Sequence, residues 1–154
     1  MLRLYDADGV DGRAWVEEPL TEELLQELLD APAVESFVEE RAGEPRTLSA
    51  YLQQLLAEKG LERAEVVRAA GLNSTFGYQI FTGARGASRD KVLALAFAMR
   101  LTLRETNRAL QAAGVNALYC KNRRDAVIIY CIDHGATLLE ADDELFRLGE
   151  ATIL

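Results

Sequence analysis

From Thr47 to Leu154 the chain contains no proline; Pro19, Pro32 and Pro45 all precede that stretch. Proline inside a helix removes an N–H and clashes with the preceding turn, so its long absence permits helices throughout. Apolar residues recur there at three- and four-residue spacing, which predicts an all-α body. Leu48, Tyr51, Leu52, Leu55 and Leu56 mark one helix face that stops at Gly60. Leu61 to Ala70 carries a second helix, with Ala64, Val67 and Ala70 among its apolar positions and Gly71 as its left-handed terminator. Asn73 is a good N-cap for a third helix reaching about Thr82, ended by Gly83. Ser88 caps a fourth, Arg89 to about Arg100, whose stripe is Val92, Leu95, Ala96 and Met99. Thr102 and Glu105 form a capping box for a fifth, which Gly114 ends.

The pattern then recurs. Shifted by 35 residues, positions 89–114 align without a gap on 124–149, with eight identities in 26 positions. Arg89 and Asp90 meet Arg124 and Asp125; Val92 meets Val127; Thr102, Leu103 and Glu105 meet Thr137, Leu138 and Glu140; Leu110 meets Leu145, and Gly114 meets Gly149. Any two helical hairpins share caps and stops, but the core positions coincide as well, which favours a structural repeat. Two copies are too few for a solenoid, so the second is expected to pack on the first, on the N-terminal extension or on another chain.

Charge divides the chain again. Residues 1–46 hold 4 basic and 13 acidic residues, 47–124 hold 12 and 5, and 125–154 hold 1 and 7. The overall −8 therefore hides a basic middle, the pattern of a polyanion site. The organisation expected is an acidic N-terminal extension over 1–46, a domain over 47–121 and a helical hairpin over 122–154. In the extension, Leu2 to Tyr5 reads as a short strand. The loop from Asp6 to Glu17 fails as a calcium loop, because Val10 and Asp11 stand where a ligand and a glycine are required. Thr21 opens a helix to about Asp30 with Leu24, Leu25, Leu28 and Leu29 on its apolar face. A second helix, about Ala33 to Arg41, turns Val34, Phe37 and Val38 inward. The acidic extension is expected to cover part of the basic surface, or to lie so close that it weakens a polyanion's encounter with it.

Catalytic and membrane classes find little here. No apolar run approaches the ~20 residues of a membrane span, and the N-terminus lacks signal-peptide shape, so a cytoplasmic location is expected. The single histidine, His134, aligns with Met99 on an apolar stripe near a helix end and reads as structural. Cys131 aligns with Ala96 and reads as core, whereas Cys120 beside Lys121, Arg123 and Arg124 is a candidate reactive thiol. With no catalytic triad, phosphate loop or ligand cluster, the expectation is no enzyme, no cofactor and no metal.

The segment Leu61 to Glu105 carries Ala70-Gly71-Leu72, Ile80, Gly83-x-Arg85, Ser88-x-Asp90, Val92-Leu93-x-Leu95-Ala96 and Leu101-Thr102-Leu103-x-Glu105 in register. It resembles the lambda-repressor-like, Cro-type (Xre) helix-turn-helix family, over about residues 47–114. The resemblance implies an all-α, five-helix DNA-binding domain whose second helix of the motif lies in the major groove. It implies a sequence-specific transcriptional regulator, repressor-type, acting as a homodimer on double-stranded DNA. Asn73, Ser74, Thr75, Tyr78 and Gln79 would then meet base edges. Arg63, Arg85 and Lys91 would meet the DNA backbone, setting register rather than sequence. A protein partner is expected, if at all, at the acidic extension or the C-terminal hairpin.

The resemblance has departures. Gly77 stands where the family carries a branched apolar residue, and Glu62 replaces the usual Ser or Thr cap, although Glu65 is retained. Phe76, Tyr78 and Phe81 stand where polar residues are common. Either the Gly77 site is tightly packed, or these aromatic residues rearrange the surface. The alternative function is a protein–protein interaction module that keeps the helix-turn-helix fold without binding DNA.

Overall fold

The computed structural model describes residues 21–39 and 46–154, and every regular element among them is a helix. The chain divides into two units, Met1–Pro45 and Arg46–Leu154. The expected strand at Leu2 to Tyr5 and the carboxylate loop after it lie outside the described residues. No helix among the described residues is long and apolar enough to cross a membrane.

In the first unit α1 spans Thr21–Asp30 and α2 spans Val34–Phe37. Within this unit Leu25, Leu28 and Leu29 of α1 are exposed and Leu24 is half-buried. The α2 helix is only four residues long and, instead of turning inward, leaves Val34 and Val38 exposed and Phe37 half-buried. So short a helix has little face to bury.

The second unit holds α3 (Leu48–Lys59), α4 (Arg63–Ala69), α5 (Ser74–Thr82), α6 (Arg89–Ala98), α7 (Leu103–Ala112), α8 (Arg123–Asp133) and α9 (Leu138–Arg147). The caps fall where the sequence puts them: Thr47, Asn73 and Ser88 each accept a backbone N–H, and Thr102 with Glu105 closes a capping box. The α4 helix starts later than expected. Leu61 N–H returns to Leu56 C=O beyond the left-handed Gly60, which commits Leu61 to ending α3. Ala64 of α4 is exposed, and Val66 joins Val67 in the core.

The centre of the unit is α6. Val92 to Phe97 are all buried, so the helix is covered on every side rather than along one stripe. Both α4 and α7 pack on it; α3 packs on α7, and α5 packs on α3 and α4. The Lys59–Glu105 ion pair, 3.1 Å, ties α3 to the start of α7.

The second hairpin, α8–α9, repeats the first in detail. Thr137 and Glu140 form the same capping box as Thr102 and Glu105. The chain after each hairpin is held alike: Asn107 Oδ1 accepts Leu118 N–H at 2.8 Å, and Asp142 Oδ1, its counterpart, accepts Ile153 N–H at 2.6 Å. Arg89 donates to the carbonyls of Asn116 and Ala117, and Arg124 donates to those of Ala151 and Thr152. The turn inside each hairpin puts one residue at positive φ, Arg100 (52°) in the first and Gly135 (68°) in the second. One offset differs: Asn122 caps α8 one residue earlier than Ser88 caps α6. The two hairpins pack on each other, α8 on α7 and α9 on α6.

Candidate nucleic-acid interface

The α4–α5 pair owes its closeness to Gly77. A methyl group there would overlap Val67, 2.6 Å from its Cγ2, so only glycine lets the two helices approach this far. Of the two readings of this departure, tight packing is the one observed. Phe81 is fully buried and Phe76 half-buried, which leaves Tyr78, 51% exposed, as the one aromatic of α5 open to solvent. Gln53 Nε2 on α3 donates to Phe81 C=O at 2.6 Å and fastens the far end of α5.

The near end is set by Asn73, whose Oδ1 accepts Thr75 N–H at 2.9 Å and Phe76 N–H at 3.2 Å. Its oxygen is thus spent on the cap, leaving the amide NH₂ as its outward group. Ser74 and Thr75 are exposed beside it, and Gln79 is half-exposed one turn on. Gln79 C=O takes Arg85 N–H and the Thr82 hydroxyl, both at 3.2 Å, which folds the chain after α5 back beside the helix.

That fold-back brings charge onto the aromatic residues. The Arg63 guanidinium, from the first residue of α4, lies over the Tyr78 ring at 4.5 Å from its centroid. The Arg85 guanidinium and the Lys91 ammonium both lie against Phe76, at 5.2 and 5.0 Å. Ring faces attract cations, and such stacking holds a long side chain in place while its charge stays in water. Three cations from α4, the α5–α6 loop and α6 therefore border the exposed edge of α5. The three expected backbone-contact residues thus lie beside aromatic rings of α5, the helix that carries Ser74, Thr75, Tyr78 and Gln79 and is capped by Asn73. What the sequence reading missed is the part played by Phe76 and Tyr78 as platforms. The signal was present: two aromatic residues two apart on α5, with a basic residue opening α4 and others after α5.

Other singled-out residues lie elsewhere. His134 caps the end of α8 and is exposed where its counterpart Met99 is buried; its Nδ1 bonds Tyr130 C=O at 2.8 Å and its ring stacks on Tyr130 at 3.8 Å. A donor there suits the last carbonyls of a helix. Cys131 is buried, and burial pushes its thiol pKa up. Cys120 is exposed, but Arg123 and Arg124 point away to partners in 148–152 and to Asp90. Among the described residues no group of His, Cys, Asp and Glu is arranged to hold a metal ion. In comparison with known proteins, no family model, no curated protein and no solved structure matches the chain.

Proposed function

We propose that the protein is a sequence-reading, duplex-DNA-binding regulator of transcription, and that α3–α7 form a lambda-repressor-like helix-turn-helix domain. In this reading α4 and α5 are the motif and α5 enters the major groove. The observation that carries it is the ring of three cations stacked on aromatic residues along the exposed edge of α5. Arg63, Arg85 and Lys91 meet phosphates, which fixes orientation and supplies most of the salt-dependent affinity. Ser74, Thr75 and Gln79, with the Asn73 amide and the Tyr78 hydroxyl, meet base edges; Gln79 pairs with adenine through two hydrogen bonds. The protein-interaction reading needs an aromatic grip, and the burial of Phe81 and half-burial of Phe76 leave it only Tyr78.

Selection of bound duplexes from a random pool tests this. The full chain should enrich a short motif, and Gln79→Ala should relax discrimination at one base pair at a cost of ~1–3 kcal/mol on the preferred site. Failure to enrich any motif would remove the sequence-reading role.

A further inference from the structure

The contacts between the two hairpins are reciprocal. Arg89 holds the buried Asp125 carboxylate with two hydrogen bonds, at 2.9 and 2.8 Å. Arg124 holds Asp90 Oδ1 at 2.9 Å. Asp125 is the counterpart of Asp90 and Arg124 that of Arg89, so exchanging the hairpins turns one bridge into the other. The helix contacts exchange in the same way, α8 on α7 for α6 on α9. A surface in which residue i meets j while j meets i is what a two-fold interface between identical subunits has. Here it joins two parts of one chain.

The outer faces complete the picture. On the first hairpin, where α3 and α4 lie, Leu95, Met99 and Ala109 are buried. Their counterparts Tyr130, His134 and Glu144 are exposed or half-exposed. The second hairpin thus keeps the pairing surface of the first and, among the described residues, carries no counterpart of α3–α5 on its other side. By the same exchange, a second α3–α5 would sit on this open face if two first hairpins paired.

We propose that α8–α9 is a built-in pairing partner. It fills the surface by which α6–α7 would pair with α6–α7 of another chain, and it keeps the protein a monomer with a single α5. The pairing stands whether or not α5 binds DNA. Its consequence rests on the DNA reading: the site recognised is one half-site rather than a two-fold palindrome, in place of the homodimer that the family resemblance implies.

Charge exchange in the full chain tests the pairing apart from DNA. Sedimentation equilibrium of the wild-type protein should give the 17.0 kDa of one chain. Arg124→Asp with Asp125→Arg puts like charges at both internal bridges, while pairing of each hairpin with its own kind in a second chain stays complementary. That variant should shift to a concentration-dependent dimer. A wild-type dimer, or a folded double variant that remains a monomer, would overturn the proposal. Should the double variant not fold, Asp90→Arg with Arg124→Asp gives the answer, because it exchanges the more exposed bridge and keeps it complementary. The pair should unfold at a higher urea concentration than additive single losses give, and additive losses would overturn the pairing. On a selected duplex, one bound chain per site is expected; two chains per site, from a protein that is a monomer alone, would overturn the half-site consequence and leave DNA binding intact.

Discussion

Leu95 on α6 is fully buried, whereas Tyr130, its counterpart on α8, is 62% exposed. Yet the two hairpins share their capping boxes, their anchoring arginines and the side-chain acceptors that hold the chain after them. Where they agree, the residues build the hairpin or join it to the other. Where they differ, the residues answer to what lies on the outer face. The first outer face carries α3 and α4, and through them α5; the second faces solvent with Tyr130, His134 and Glu144.

The largest contrast should come from that face. Leu95→Ala removes a fully buried side chain and should cost ~2–5 kcal/mol in urea unfolding, whereas Tyr130→Ala, at an exposed site, should stay within ~0.5 kcal/mol. Comparable losses at the two positions would break the contrast. The two bridges should differ next. Asp125 is buried and accepts both Arg89 bonds and Tyr119 N–H, so Asp125→Ala should cost ~3 kcal/mol. Asp90 is more exposed and accepts one Arg124 bond, so Asp90→Ala should cost ~1 kcal/mol, and equal costs would deny the asymmetry.

The shared features should instead give matching effects. Thr102→Ala and Thr137→Ala each remove a cap oxygen and should each cost ~1 kcal/mol. Backbone and side-chain hydrogen bonds from Thr137 hold the Glu140 carboxyl below its ordinary value. With the folded pKa depressed, the stabilisation is complete above the ordinary glutamate range, near ~4.3, and is lost as pH falls through the lower folded value. Glu140→Gln should remove that part of the acid dependence, seen as a flatter plot of stability against pH below that range. The smallest effect is expected at the turn, where Arg100 sits at positive φ while the second copy has glycine. Arg100→Gly should raise stability by ~0.5–1 kcal/mol, measured in the same unfolding assay, and a loss there would show that the Arg100 side chain outweighs its backbone strain.

Much of this was legible in the sequence because it is local. A cap such as Asn73, a box such as Thr102 with Glu105 and a stop such as Gly60 each depend on residues a few positions apart. The 35-residue self-match could expose the repeat, since the same tasks recur at the same spacing. The depth of α6 was partly hidden: a stripe of Val92, Leu95, Ala96 and Met99 fits a one-sided helix, but the unbroken apolar run from Val92 to Met99 marks a helix covered all round. Longer-range facts were not legible. Gly77 reads as a departure until Val67 is seen against it, and Phe76 reads as an odd aromatic until Arg85 and Lys91 are seen beside it. The openness of the face around His134 was not legible for the same reason, because alignment with Met99 transfers a position but not the helices that cover it.

The proposed DNA contact through α5 is tested most directly by the salt dependence of affinity. Binding of the full chain to a selected duplex should weaken with salt along a straight line of log affinity against log salt concentration. Replacing Arg63, Arg85 and Lys91 together by alanine removes three phosphate contacts in this account and should make that line shallower by about 2.7, at ~0.9 per contact. A slope left unchanged by the triple substitution, or a wild-type protein with no salt-dependent binding to any duplex, would contradict it.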